Sequence, residues 1–312
     1  MEVIKDITDI KFKEKTGVAL GNFDGVHLGH ISLIKHLKDI ADQHNYKSLV
    51  FTFEDHTLKT LDPSKPTSLL TDNDKKIELI KSLDVDYLIM VKFDKKFSMM
   101  SYKDFIEGIL VNRLNNGFVV VGSDFRFGRN GEGDTNVLKK FGEKYNYAVE
   151  VIPPVLINGV KVSSSYIRRL IRDGMVDMVP MYLGRNYSIS GNVIKGNNYG
   201  TKLVGYPTAN IDIDCRLCLP PDGVYVSRAY INGRDYHSVT DVGCNPTFHN
   251  KKFSIETYIL DEFNENLYGK YIEVDFLKYI RSDIEFDNVM SLKEKIKTDV
   301  DYALNYFNGL DT

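Results

Sequence analysis

Up to Leu183, short runs of uninterrupted apolar residues alternate with segments of helical period, and no other feature restricts the fold of this chain as tightly. Val18-Ala19-Leu20 forms a strand without a polar face. Ile31, Ile34, Leu37 and Ala41 then mark one face of a helix. The pattern repeats with a strand at 48–53, a helix at 72–83 capped at Thr71-Asp72, and a strand at 87–91. Phe105, Ile109, Leu110 and Leu114 mark the next helix, followed by strands at 118–121 and 148–152 and helical stretches at 164–173 and 176–183. Strands that are apolar on both sides need cover on both sides. Separated by helices, they make a parallel sheet in a doubly wound α/β domain.

After Leu183 the pattern changes to Gly-rich β structure. Strands are predicted at 187–195, 210–213, 223–231, 236–242, 253–260 and 271–280, divided by turn residues at Gly196-Asn197-Asn198, Asn232-Gly233 and Asn264-Glu265-Asn266. This is the grammar of a closed or nearly closed antiparallel barrel. Leu292, Ile296, Val300, Ala303 and Phe307 then define a C-terminal helix. With 312 residues, 43% of them hydrophobic, the chain has material for two cores, and the expected domains are 1–183 and 184–312.

Bulk properties narrow the function. A formal net charge of −3 argues against nucleic acid as the main partner. No apolar run reaches the roughly 18 residues of a membrane span, and the start of the chain lacks the apolar core of a secretory signal. Three cysteines, Cys215, Cys218 and Cys244, are too few for a disulfide framework and fit a reducing cytoplasm. Cys215 and Cys218 form a lone C-x-x-C without a second ligand pair, so plain buried or half-buried thiols are expected.

The first strand runs into the turn Gly21-Asn22-Phe23-Asp24-Gly25 and then His27-Leu28-Gly29-His30 at a helix start. Loops at the carboxyl edge of a parallel sheet bind nucleotides, and a helix N-terminus favours phosphate. The G-K-[ST] ending of a Walker loop is missing. Two imidazoles three residues apart project toward the same space. There they can donate to phosphate oxygens as charge moves onto a leaving pyrophosphate. Gly29 leaves room for a phosphate or adenine near the backbone. An isolated H-x-G-H is as often a pair of surface histidines beside a cap; the strand, turn and helix around this one favour an ATP site.

Two further segments share that edge. Ser163-Ser164-Ser165 followed by Arg168 puts hydroxyls at a helix start and a guanidinium one turn in, a setting for a triphosphate; a serine run alone is more often a cap. Asp124 and Arg126, in Gly122-Ser123-Asp124-Phe125-Arg126-Phe127-Gly128, can reach a nucleotide. Phe125 and Phe127 either stack on a ring or fill the core.

Together GNFDGVHLGH, VVVGSDFRFG and VSSSYIR resemble the nucleotidylyltransferase superfamily with its HxGH and SSTxxR signatures. The wording is similar to the FAD synthetase domain of the bacterial bifunctional riboflavin kinase/FMN adenylyltransferase family. That resemblance implies transfer of AMP from ATP to FMN with a magnesium ion, giving FAD and pyrophosphate. It implies ATP contacts from Gly21, Asn22, Phe23, Asp24, Gly25, His27, His30, Asp124, Arg126, Ser164, Ser165 and Arg168, with His27, His30 and Arg168 catalytic. Flavin contacts fall on His56, Phe125 and Phe127. The family's F-x-P-H-P is here Phe53-Glu54-Asp55-His56-Thr57, and Tyr166 replaces the first arginine of SSTRIR.

In the second half, Gly196, Gly200 and Gly205 permit a tight phosphate loop. Thr208 and Asn210, two apart on a strand, share a face, and their neutral oxygens suit Mg²⁺. Glu256, in an otherwise neutral strand, is the candidate to orient an attacking hydroxyl, although one strand glutamate is usually only a solvated charge. GYPTAN, LPPDGVY, GCNPTF and ETYILDEF are similar, in order, to the riboflavin kinase domain. The resemblance implies a six-stranded barrel that phosphorylates riboflavin with Mg-ATP. Gly196, Gly200, Thr201, Lys202, Pro207, Thr208 and Asn210 would hold ATP, Thr208 and Asn210 the metal, and Glu256 would be the base. Thr201-Lys202 and an added Val204 stand where many bacterial members have G-R-x-L-G-F. The leading expectation is one chain making FMN and then FAD, with riboflavin, FMN, FAD and ATP as its small-molecule partners. Its alternatives are a chain with one activity intact and a non-catalytic flavin or nucleotide sensor. Oligomeric state is not encoded in any of these features.

Overall fold

The computed structural model describes residues 1–61, 68–195, 208–244, 253–263, 265–284 and 288–309. Backbone contacts divide the chain into two compact units, Met1–Ser164 and Ser165–Thr312. The predicted helical stretch between Ser165 and Leu183 therefore falls with the barrel, whereas the sequence placed the boundary after it. No helix among the described residues is long and apolar enough to cross a membrane.

The first unit is built on a six-stranded parallel sheet. Its strands are β1 (Glu2–Ile4), β2 (Thr16–Leu20), β3 (Lys47–Phe53), β4 (Tyr87–Val91), β5 (Asn116–Gly122) and β6 (Ala148–Ile152), in the order β1-β4-β3-β2-β5-β6. Where the sequence predicts three helices before residue 164, the described residues hold seven short elements and one long helix. They are α1 (Leu28–His44), α2 (Thr57–Leu61), α3 (Asn73–Lys81), α4 (Lys95–Ser98), α5 (Tyr102–Asp104), a π-helical run Phe105–Val111, a 3-10 turn Arg129–Gly131 and α6 (Thr135–Tyr145). A hairpin, β7 (Leu156–Ile157) and β8 (Val160–Lys161), precedes α7 (Ser164–Arg172). Two apolar clusters cover the sheet: one holds Leu20, Phe51, Ile89, Ile106, Leu110 and Val121, the other Ala19, Ile34, Leu37, Val50, Leu88 and Val120. Adjacent residues of one strand thus go to opposite clusters, which is why these strands carry no polar alternation.

The strand order reverses at β2, which pairs with β3 on one side and β5 on the other. A crevice opens at such a switch point outside the carboxyl ends of the strands. The loops that leave β2 and β5 are the two carrying Gly21–Val26 and Ser123–Phe127.

In the second unit a 3-10 turn (Val176–Met178) and α8 (Val179–Leu183) lead into β9 (Tyr187–Ile194), β10 (Thr208–Ile213), β11 (Gly223–Ile231), β12 (Arg234–Cys244), β13 (Phe253–Ile259) and β14 (Tyr271–Ser282). These close into a barrel in the order β10-β13-β12-β11-β14-β9, and α9 (Val289–Asn308) ends the chain. Val224, Val226 and Val239 pack on Ala303 and Phe307 of α9, so their face is the outer one. The alternate residues point inward. Buried rings of Tyr187, Tyr225 and Phe276 gather there, together with a hydroxyl chain. Ser227 meets Ser238 at 2.8 Å and Thr240 at 2.7 Å, and Thr240 meets Thr257 at 2.9 Å. Every one of these buried hydroxyls has a partner, as an apolar barrel requires.

Candidate functional site

The histidine pair is assembled by the turn between β2 and α1. Phe23, Gly25 and Val26 all take positive φ, at 47°, 83° and 40°. For a β-branched residue such as Val26 that conformation is costly, and strain of this kind gathers at functional sites. The turn is pinned from three sides. The Asp24 carboxylate accepts from Leu70 N–H at 2.9 Å. Thr71 Oγ1 accepts from Gly25 N–H at 3.3 Å, so of the expected capping pair Thr71 braces this turn and Asp72 caps α3, accepting from Lys75 N–H at 2.7 Å. Ser164 Oγ donates to the Asp24 carbonyl at 2.9 Å, which joins the serine motif to the first one.

His27 is the N-cap of α1, its Nδ1 accepting from His30 N–H at 3.3 Å. Neutral His27 therefore carries its proton on Nε2. The two imidazoles stack with centroids 3.5 Å apart and 14° between planes, and Phe23 meets His30 edge-on at 5.2 Å. Burial, then His27, then Lys76 hold His30 well below the usual imidazole range. His30 Nδ1 is buried and makes no hydrogen bond among the described residues. A buried polar atom without a partner marks a place where a ligand supplies one.

The other residues predicted for adenylyl transfer fall on several segments. Asn22 reaches Thr57 Oγ1 at 3.3 Å, and its carbonyl accepts from Thr52 at 2.9 Å, which draws the His56 loop to the turn. Asp124 and Arg126 are exposed: Asp124 pairs with Lys161 at 2.5 Å and Arg126 with Asp134 at 3.6 Å. Phe125 and Phe127 stack at 5.7 Å, Phe127 buried in the core and Phe125 at its margin. Gly21 has φ in the ordinary range, and a Cβ there would meet the Phe23 ring at 3.0 Å. Ser165 and Arg168 belong to the second unit, where Arg168 is buried and its carbonyl accepts from Cys218 Sγ at 3.9 Å.

The barrel carries a polar row set by strand register. Asn210 on β10 faces Glu256 on β13, and Glu256 faces Asp241 on β12. Asp241 in turn faces Val224, so the row lies on the outer face, the side of α9. Thr208, two residues before Asn210, shares that face, and both are buried at 8% exposure. Burial raises the Glu256 carboxyl above its ordinary range. Asp241 is pushed up to about 7, first by burial and then by Asp283 and Glu256. Its Oδ1 is buried without a hydrogen bond among the described residues. Arg281, opposite Val224 on β14, pairs with buried Asp299 of α9 at 2.7 Å. The predicted ATP residues Gly196, Gly200, Thr201, Lys202 and Pro207 lie outside the described residues. Cys215 is exposed, against the expectation of buried or half-buried thiols, which Cys218 meets by being buried. No metal-ligating cluster of His, Cys, Asp or Glu occurs among the described residues.

Three features escaped the sequence. Lys76, inside a run of charged residues, is buried with 2% exposure, its Nζ donating to the Phe53 carbonyl at 3.0 Å. Asp241 gives no signal until the register puts it beside Glu256. The bracing of the turn by Leu70 and Thr71 depends on a chain reversal that no local pattern announces.

Known proteins agree with both halves. The family model for FAD synthetase matches residues 9–166 and that for riboflavin kinase residues 183–307. A bifunctional riboflavin kinase/FMN adenylyltransferase of Buchnera aphidicola is 38% identical over 312 residues, covering 99% of each chain. Proteins of the same description from Bacillus subtilis (36% identical; 95% of this chain, 94% of that one) and Escherichia coli K12 (32% identical; 98% of each) match almost as fully. A crystal structure from Streptococcus pneumoniae, described as a macrolide-efflux protein, superposes with a TM-score of 0.86 at 30% identity over 97% of this chain and 98% of its own.

Proposed function

The chain belongs to the bifunctional riboflavin kinase/FMN adenylyltransferase family, and we propose that the stacked histidines of its first unit and the Asn210–Glu256 row of its second carry the two reactions. Its function is flavin cofactor synthesis: riboflavin is phosphorylated to FMN, and FMN is adenylylated to FAD.

In adenylyl transfer an FMN phosphate oxygen bonds to the α-phosphorus of ATP. The bond from that phosphorus to the bridging oxygen breaks, and pyrophosphate leaves with the electron pair. His27 and His30 donate N–H to the polyphosphate as this charge develops, which needs no covalent intermediate. Gly21 to Gly25 supply the turn and Ser164 a hydroxyl bonded to it, and the family resemblance assigns Ser165 and Arg168 to the triphosphate. Asp124 and Arg126 stand at its exposed margin, and His56 and Phe125 face the flavin side. The observation that carries this reading is the His27–His30 stack at a switch-point helix start, with His30 Nδ1 buried and unbonded among the described residues.

In the kinase reaction the ribityl hydroxyl oxygen bonds to the γ-phosphorus of ATP as the bond from that phosphorus to the bridging oxygen breaks and ADP leaves with the electron pair. Glu256 takes the hydroxyl proton, a role that its raised carboxyl suits. The oxygens of Thr208 and Asn210, buried on one face beside a carboxylate, fit a hard cation, so these two would hold Mg²⁺, which supplies charge neutralisation of the phosphates when bound. Gly196, Gly200, Thr201, Lys202 and Pro207 complete the ATP site in this proposal. The functional division runs at 183/184, and the setting is cytoplasmic.

The test supplies purified protein with riboflavin, ATP and Mg²⁺ and resolves FMN from FAD. His30→Ala should accumulate FMN with FAD formation down at least about a hundredfold. Glu256→Gln should form no FMN, yet convert supplied FMN to FAD. Loss of both activities in either variant would remove that residue from its assigned step.

A further inference from the structure

A lysine is seldom buried without a carboxylate against it. Lys76 is such a case: it is 2% exposed on α3, and it makes no ion pair among the described residues. Its ammonium donates to the carbonyl of Phe53, the last residue of β3. That places a positive charge at the carboxyl edge of the sheet, beside the central strand whose loop holds the histidines. The charges that act on it come from Asp24, in the turn after β2, and Asp55, just beyond β3. It acts in turn on His30, on α1. One amine therefore answers to three of the segments that line the crevice.

We propose that Lys76 is a positioning residue for adenylyl transfer, its buried ammonium tying the Asp24 and Asp55 segments to the sheet edge and setting beside His30 a fixed positive charge that the triphosphate of ATP offsets on binding. The inference rests on the assignment of His27 and His30 to this step. Without nucleotide, burial, His27 and Lys76 all disfavour a proton on His30. The anionic triphosphate reverses that balance, and His30 then holds its N–H toward the oxygens on which charge collects. Burial holds the ammonium below the usual lysine range, a cost that Asp24 and Asp55 offset only in part. A lysine kept there at such a cost belongs to the site and not to a solvated helix face.

The experiment uses the full chain with ¹³C-labelled histidine and three variants: Lys76→Met, Lys76→Arg and His30→Ala, the last identifying the His30 resonance. In Lys76→Met the His30 titration should move up by about one pH unit, and the further rise caused by a non-hydrolysable ATP analogue should shrink. The kcat/KM of FAD formation should fall about tenfold, while FMN formation, carried by the other unit, stays within about twofold. Lys76→Arg, which keeps the charge, should keep the His30 titration near its original position. An unmoved titration in Lys76→Met, or FAD formation within about twofold of the original, overturns the proposal. So does an arginine variant whose titration shifts as far as that of the methionine variant, which would mean a packing role alone. Should His30→Ala make FAD at the full rate, the histidine assignment fails first. A dead His30→Ala beside a normal Lys76→Met sinks only the role of Lys76.

Discussion

Gly29 shows how a single hydrogen shapes the adenylyl-transfer site. The sequence suggested that it leaves room for a ligand. In the structure its missing Cβ leaves room for the ring of His27, since a Cβ there would meet Cε1 and Nδ1 of that ring at 3.2 Å. The ring caps α1 and stacks on His30, so any shift disturbs both contacts. Gly29→Ala should therefore lower FAD formation about tenfold and leave FMN formation unchanged, as a side-by-side assay of the two products would show. A wild-type rate would mean that the stack tolerates displacement. The pair was legible in the sequence because its strand, turn and helix are local. Lys76 was not. Flanked by Asp74, Lys75 and Glu78, it looks like part of a solvated face, and a carbonyl from a distant strand is what buries it.

At the scale of elements, apolar runs located the strands of the parallel sheet well, and β4 and β6 have the expected limits. Strand β1 was missed because its three residues, flanked by charges, carry too short a pattern. The helix predicted from Phe105 onward is π-helical, a form that puts Phe105, Ile106, Ile109 and Leu110 all in the core. The barrel strands were found by their turns, but not their register, and register is what places Asp241 beside Glu256. That juxtaposition has a consequence for stability. The folded chain raises Asp241 from its ordinary 3.8 to about 7, so between those values the folded state keeps a proton that the unfolded state releases. The stability from this group is present below that window and is lost as pH rises through it. Asp241→Asn copies the protonated acid. Without Mg²⁺, its barrel should melt a few degrees above the original at pH 8, a gain of about 1 kcal/mol or more, and at the same temperature near pH 4. Equal melting at both pH values would show that Asp241 is charged at little cost in the native barrel.

On the scale of the whole molecule, each unit has its own core. The clusters around Leu110 and Ile34 lie in the first, and the ring and hydroxyl interior of the barrel in the second. The assigned histidines and the Asn210–Glu256 row likewise fall in different units. FMN is the species that passes from one chemistry to the other, as product of the kinase and acceptor of the adenylyl group. Two chains with complementary defects should therefore restore the sequence in a mixture. His30→Ala, which retains its barrel site, would supply FMN, and Glu256→Gln, which retains its histidine pair, would consume it. Riboflavin, ATP and Mg²⁺ added to equal amounts of the two should yield FAD after a lag that shortens as protein concentration rises, because FMN must cross solution between molecules. A mixture that accumulates FMN without FAD, while Glu256→Gln alone adenylylates supplied FMN, would mean that FMN made by one molecule is withheld from another.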